Sequence, residues 1–298
     1  MGVPSSGQVS INNIVSEFGG TEPHQLSEYY RDGGSVPGNN TNVPTSGEIK
    51  LSDFYGAVNS VVVTLSAPAT NVELSSTFGS DWTSTIPKVL NIDSGVIIGA
   101  TNFNYALRVS TGMAGTIEIN NAGSIQGKGG SPIGQKGFHP GNRGNQTPPR
   151  AGSGGDGGPA ISIVSAGATI NNTGSISGGG GSGGGGGAGQ RGQSINGRWK
   201  GGDGGWGGLG EGYNQARTTG TAGQRNQAYA LSRGGDGGPG GYFGAAGSTG
   251  STGGQARFKA PSSSAGLGGF GGAAGSAIKN DGATWTNGTT TGTYQGSY

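Results

Sequence analysis

The sequence predicts a mostly irregular and β fold in three parts. A small N-terminal repeat module comes first and a small β domain second. The third part is a glycine-rich sandwich of polyproline II (polyglycine II) helices with short β rungs. Three observations predict this: a duplicated motif near the start, a run of β-branched segments after it, and 72 glycines in 298 residues, far above the roughly 7 % usual share. Residues 1–113 hold 13 of the glycines and residues 114–298 the other 59, and charge divides at the same point. The first part carries four basic and nine acidic residues, the second thirteen basic and six acidic. Units with different jobs are the simplest reading.

The N-terminal module spans 1–57. "VPSSGQVSINNI" (3–14) aligns with "VPTSGEIKLSDF" (43–54), and "LSEYY" (26–30) with "LSDFY" (51–55). Each copy reads as a Pro-Ser-Gly turn, a short alternating strand and a helix start capped by Ser10 or Ser27. One reading is a duplicated structural module. The sharper one is a docking module that fixes the chain to a larger assembly, with Phe18, Tyr29, Tyr30, Phe54 and Tyr55 as aromatic anchors.

Residues 58–113 read as a small β domain. "SVVVTLSA", "KVLNI", "GVIIGA" and "YALRVS" are short β-branched runs split by Gly, Pro, Asn and Asp.

Residues 114–298 repeat differently. "IEINNAGSIQGKGG" (117–130) matches "ATINNTGSISGGGG" (168–181), pairing Ile119 with Ile170 and Ile125 with Ile176; "AIKNDGATWTNG" (277–288) reads as a degraded third copy. These are rungs of a parallel β-layer or β-helix. Glycine then recurs with period three, as in Gly201-Gly-Asp-Gly-Gly-Trp and Gly234-Gly-Asp-Gly-Gly-Pro. A flexible linker needs no period, whereas polyproline II has three residues per turn and no internal hydrogen bonds. Two bare positions per turn predict close packing, with backbone hydrogen bonds of about 0.5–1.5 kcal/mol each replacing an oily core.

Several function classes are disfavoured. A GxGxxG at Gly205, Gly207 and Gly210 is expected by chance in this composition and follows no strand of a βαβ unit. His24 and His139 lie in different units, so no metal site or catalytic triad is proposed. No carboxylate pair stands out for glycoside hydrolysis, the positive charge is too diffuse for nucleic acid, and no catalytic residue or cofactor is expected. Asp156, Asp203 and Asp236 each sit in Gly-Gly-Asp-Gly-Gly. Bonding to neighbouring N–H groups is preferred there over calcium. No signal peptide or membrane-spanning run is expected, and the lack of cysteine fits cytosolic synthesis.

"GGPAISIVSAGATINNTGSISGGGGSGGGGGAG" (157–189) resembles the glycine-rich adhesins at the tips of the long tail fibres of T-even-type phages. The resemblance covers about 114–298. It implies a polyglycine II sandwich, a place in the virion at the tail fibre or tail tip, and loops that bind a host outer-membrane protein. The start, "VPSSGQVSINNIVSEFGG", resembles instead a module found at the beginning of many phage tail and fibre proteins. The implied partners are a phage fibre or tail protein and a host surface receptor. A homotrimer and a monomer on a trimeric fibre both stay open. The basic charge also suits lipopolysaccharide.

The resemblance makes four segments the expected contact surface: 134–150, 193–200, 211–233 and 255–264. They collect most of the unit's Arg and Lys. The expected receptor-binding residues are Arg198, Trp199, Lys200, Tyr213, Arg217, Tyr229, Tyr242, Phe243 and Phe258, because aromatic and Arg side chains make strong anchors. The competing expectation is a purely structural fibre or decoration protein, for which these segments are solvated connectors.

Overall fold

Short alternating segments wind into a parallel solenoid. In the computed structural model, which describes residues 3–133, 136–138, 148–194, 197–199, 201–225, 232–256 and 263–298, each of the first four turns contributes one strand to each face. The first turn is β1 (Val61–Leu65), β2 (Ala69–Thr70) and β3 (Val72–Glu73). The second is β4 (Lys88–Ile92), β5 (Ile97–Gly99) and β6 (Leu107–Val109). The third is β7 (Ile117–Asn121), β8 (Ser124–Gln126) and β9 (Ile161–Ile163). The fourth begins with β10 (Ala168–Asn172) and β11 (Ser175–Ser177). After a long excursion containing the hairpin β12 (Gly192–Ser194) and β13 (Gly197–Trp199), it closes with β14 (Ile278–Asn280). A last turn adds β15 (Trp285–Thr290) and β16 (Thr293–Gln295). The stacked sheets are β1-β4-β7-β10-β15, β2-β5-β8-β11-β16 and β3-β6-β9-β14, parallel throughout.

The register explains the core. Leu90, Ile119 and Ile170 stack on the first face, Ile98, Ile125 and Ile176 on the second, and Leu107, Ile161 and Ile278 on the third. All nine are buried. Each such side chain contributes roughly 1.5–3 kcal/mol by leaving water. At the first corner, the second Asn of each "INN" turns inward. Asn121 Nδ2 donates to Asn172 Oδ1 (2.9 Å) and Asn172 Nδ2 to the Thr293 carbonyl (3.1 Å). The first Asn of each pair forms an outer ladder, Asn171 to Asn120 (2.8 Å) and Asn120 to Asn91 (3.1 Å).

This architecture corrects the expected fold class. The ordered framework is three sheets of four or five parallel strands, not a polyproline sandwich. Glycine abundance misdirected the reading, because the β-branched runs at 61–126 set the framework and the glycine stretches leave from it. The same sheets run through the expected boundary at 113/114: β4, β5 and β6 pair directly with β7, β8 and β9. The alignment of 277–288 also shifts. Ile278 pairs with Ile161 on the third face, and Trp285 is the partner of Ala168.

The helix α1 (Ile11–Phe18) is capped by Ser10, whose hydroxyl and backbone N–H exchange bonds with Asn13; Ser27 lies inside the 3-10 turn Leu26–Tyr29 and caps nothing. A second short helix, α2 (Leu74–Phe78), and the 3-10 turn after it place Phe78 and Trp82 over the first turns of the solenoid core. No helix among the described residues is long and apolar enough to cross a membrane.

Candidate functional site

Both long excursions leave the solenoid at one corner, after β8 and after β11, and return at β9 and β14. Segment 178–190 is buried along its whole length. Its backbone is bonded to six others: Gly130 N–H to Gly180 O (2.8 Å), Gly185 N–H to Gly152 O (3.0 Å), Gly183 N–H to Gly208 O (2.8 Å), Gly238 N–H to Gly184 O (2.8 Å), Gly184 N–H to Ser248 O (3.0 Å) and Gly269 N–H to Gly185 O (2.8 Å). The contacts account for the composition. A Cβ on Gly183 would lie 1.8 Å from the Gly238 oxygen, and one on Gly184 2.0 Å from that of Gly269. Backbone replaces side chain as the packing surface, and the polar groups are satisfied in doing so.

Successive segments of this block alternate in direction, so the connectors sort to its two ends. One end gathers four of them, three of these around Gln190, which is buried. The Gln190 N–H donates to Gly254 O (2.9 Å) and its amide to Ser263 O (2.8 Å); its Oε1 accepts from Ala256 N–H (3.1 Å), and its carbonyl accepts from the Ser232 hydroxyl (2.5 Å). Close by, Gly189 N–H donates to Gly202 O (2.8 Å) and Gly266 N–H to Ala188 O (2.7 Å). The connectors 191–200, 225–233 and 255–265 therefore start and finish side by side. The remaining connector, 138–150, is held to the same end by Gly137 N–H to Gly186 O and Ala151 N–H to Leu267 O (2.9 Å each). These four segments contain seven Arg, two Lys and no acidic residue.

The expected contact residues divide between the ends. Arg198 and Trp199 belong to β13 in the 191–200 connector, where Gln193 is opposite Arg198 and Gly192 opposite Trp199. Lys200, Tyr229 and Phe258 lie outside the described residues. Tyr213, Arg217, Tyr242 and Phe243 are at the opposite end, beside the solenoid. Tyr213 N–H donates to Gly127 O (3.0 Å), and its ring occupies the space above Gly99, where a Cβ would come within 2.2 Å of ring carbon. Arg217 Nε donates to Gly240 O (2.5 Å) and its guanidinium lies 4.5 Å from the centre of the exposed Tyr242 ring. Phe243 N–H donates to Glu211 Oε2 (3.1 Å). Of these four, Tyr213 packs on the solenoid, while the contacts of Arg217, Tyr242 and Phe243 lie within the glycine block.

Two features escaped the sequence reading. Gln190 had a signal, since it is the first long side chain after the glycine run. The Arg150 guanidinium over the Phe270 ring, 4.3 Å to its centre, joins residues far apart in sequence and had none. The Asp residues are engaged with the block. Asp156 Oδ1 accepts from Ala273 N–H (2.7 Å), Asp236 Oδ1 from Gly223 N–H (2.8 Å) and Arg233 (2.5 Å), and Asp203 pairs with Lys136 (3.5 Å). Among the described residues no three metal-ligating side chains converge.

The N-terminal aromatics are mainly interior. Phe18, Tyr29 and Phe54 are buried, with ring centres 6.4–6.5 Å apart. Burial and the neighbouring Glu28 push the Tyr29 phenol above its usual range. A buried ring cannot reach a partner of the folded module. Tyr30 and Tyr55 are partly exposed, and each uses its hydroxyl on a carbonyl of the other repeat copy.

A family model for the phage tail fibre adhesin Gp38 matches residues 60–298. The chain belongs to the phage tail fibre adhesin Gp38 family. The Gp38 match begins at the first turn of the solenoid, well before residue 114, and leaves the duplicated module outside it. The crystal structure of the gp37-gp38 adhesin tip complex of the bacteriophage S16 long tail fiber is similar, with 19 % identity, 99 % of each chain covered and a TM-score of 0.48. No curated protein matches the chain.

Proposed function

We propose that this Gp38-family adhesin recognises a host surface receptor through the connector end of its glycine block and joins the phage fibre through residues 1–57. The observation that carries this reading is the convergence of four connectors, rich in Arg and aromatic residues, at the end of the block marked by Gln190. A hydrogen-bonded backbone lattice holding connecting segments on one surface is the arrangement by which loops present binding residues. Arg198, Trp199, Lys200, Tyr229 and Phe258 remain the proposed contacts, with an outer-membrane protein or lipopolysaccharide as the receptor. Tyr213, Arg217, Tyr242 and Phe243 support the scaffold in this reading. The test is competition: purified full-length protein, added to host cells before phage, lowers the adsorption rate in proportion to its occupancy of receptor. Unchanged adsorption at saturating protein would leave the structural-fibre reading in its place.

A further inference from the structure

Residues 1–57 carry six acidic and two basic residues. Phe18, Tyr29 and Phe54 are buried and cannot serve as contacts, so attachment through this module uses the partly exposed Tyr30 and Tyr55 or another feature of its surface. One candidate stands out. A cavity of about 170 Å³ opens beside the second repeat copy, lined by Asn39–Val43, Asp53 and Tyr55–Val58. At about 30 Å³ per water, that is room for roughly five waters or one long side chain.

The cavity is polar, and hydrogen bonds hold its lining. Its back wall is Asn40, which is buried; its amide donates to Pro37 O and Val58 O (3.0 Å each) and accepts from Val58 N–H (2.9 Å). Tyr55 is fixed by its hydroxyl bond to Gly7 O. Asp53 supplies the charge. Its Oδ2 accepts from Lys50 N–H (2.8 Å), and it makes no ion pair among the described residues. Lys50, the nearest basic side chain in sequence, turns instead to Glu48 (3.3 Å). A carboxylate at the wall of a fixed polar cavity, in a module of net negative charge, lacks a cation.

We propose that this cavity receives a Lys or Arg side chain of the phage fibre protein, with Asp53 as its charge partner. The proposal rests on the attachment reading of residues 1–57. A charge-assisted hydrogen bond is about twice as strong as a neutral one, and the cavity walls fix its direction. Such a contact would orient the adhesin on the fibre as well as hold it.

The experiment uses full-length protein and phage particles assembled without their adhesin, with capture on the particles as the readout. Asp53→Asn keeps an acceptor for Lys50 N–H and removes the charge, so the module stays folded while capture weakens about tenfold. Raising the salt from about 0.05 M to about 0.5 M narrows the gap between Asp53→Asn and wild type. Glu48→Gln makes the same charge change outside the cavity and leaves capture unchanged. Equal capture by Asp53→Asn and wild type, or an equal loss with Glu48→Gln, overturns the cavity proposal. Deleting residues 1–57 separates the two ideas. If the deletion abolishes capture and Asp53→Asn does not, attachment stands and the cavity falls. If the deleted protein is still captured, the attachment reading itself falls.

Discussion

The Tyr30 hydroxyl donates to the Gly47 carbonyl, and Tyr55 returns the same bond to Gly7. The repeat thus clasps itself: the tyrosine ending one "LSxxY" closes on the "VPxSG" turn of the other copy. Both acceptor glycines have left-handed backbones, φ 87° at Gly7 and 85° at Gly47, a shape other residues adopt at a cost. The backbone repeats the exchange, Gly56 N–H to Pro4 O (3.1 Å) and Arg31 N–H to Pro44 O (3.0 Å).

Tyr30→Phe and Tyr55→Phe each remove one hydroxyl bond and should cost the module about 1 kcal/mol. The double variant should lose about the sum, because the bonds lie at separate places. Urea unfolding of the three variants measures this. Two unchanged midpoints would mean the clasps do not hold the module.

Lys88 is buried, and its ammonium donates to Ser84 O (2.8 Å), Ile86 O (2.9 Å) and Ala114 O (2.9 Å). Lys88→Met would strand three carbonyls, at a cost of about 3 kcal/mol or more. Burial lowers the Lys88 pKa below its ordinary 10.5, with Asp81 offsetting part of the shift. The unfolded chain therefore binds the proton more tightly than the folded one. The group's contribution is fully present above 10.5 and is lost as pH falls through the folded pKa. The stability of wild type relative to Lys88→Met should accordingly grow as pH rises toward 10.5. A difference that shrinks with pH would contradict this.

Gly204→Ala should unfold or severely destabilise the glycine block, because its Cβ would sit 1.8 Å from the Gly186 oxygen. Gly112→Ala is the contrast. Nothing lies within 4 Å of a Cβ there, and the substitution meets only the backbone cost of φ 78°, about 1–2 kcal/mol. Amide exchange across 178–190 should be fast in the first variant and unchanged in the second.

Gly99 and Tyr213 should show coupling. Gly99→Ala forces the Tyr213 ring away from β5, while Tyr213→Ala removes the ring and makes room for that methyl. The double variant should be more stable than the two single losses together predict, by about 0.5–3 kcal/mol. Strict additivity in a double-mutant cycle would show that the ring does not seat on β5.

The rung pattern was legible because alternation is local. Ile119 with Ile170 and Ile125 with Ile176 could be aligned from sequence and are partners in the sheets. The extent of the solenoid was not, since its second turn has no "INN" and its closing strands return after excursions such as 178–277. The candidate site was legible in composition and illegible in arrangement. Tyr242 and Trp199 look alike in sequence as aromatics next to glycine stretches, and only the alternating direction of the glycine segments sends one to the solenoid end and the other to the connector end. Tyr29 and Phe54 look like anchors for the same reason, until packing places them inside.

The most direct test compares the two ends in one assay: inhibition of phage adsorption by full-length protein carrying either Trp199→Ala with Phe258→Ala, or Tyr242→Ala. A lost aromatic anchor costs at least about 2 kcal/mol, or roughly thirtyfold in affinity. The connector-end variant should therefore inhibit about thirtyfold or more weakly at unchanged thermal stability, and Tyr242→Ala should inhibit like wild type. Full inhibition by the connector-end variant, with inhibition lost in Tyr242→Ala, would contradict recognition at the connector end.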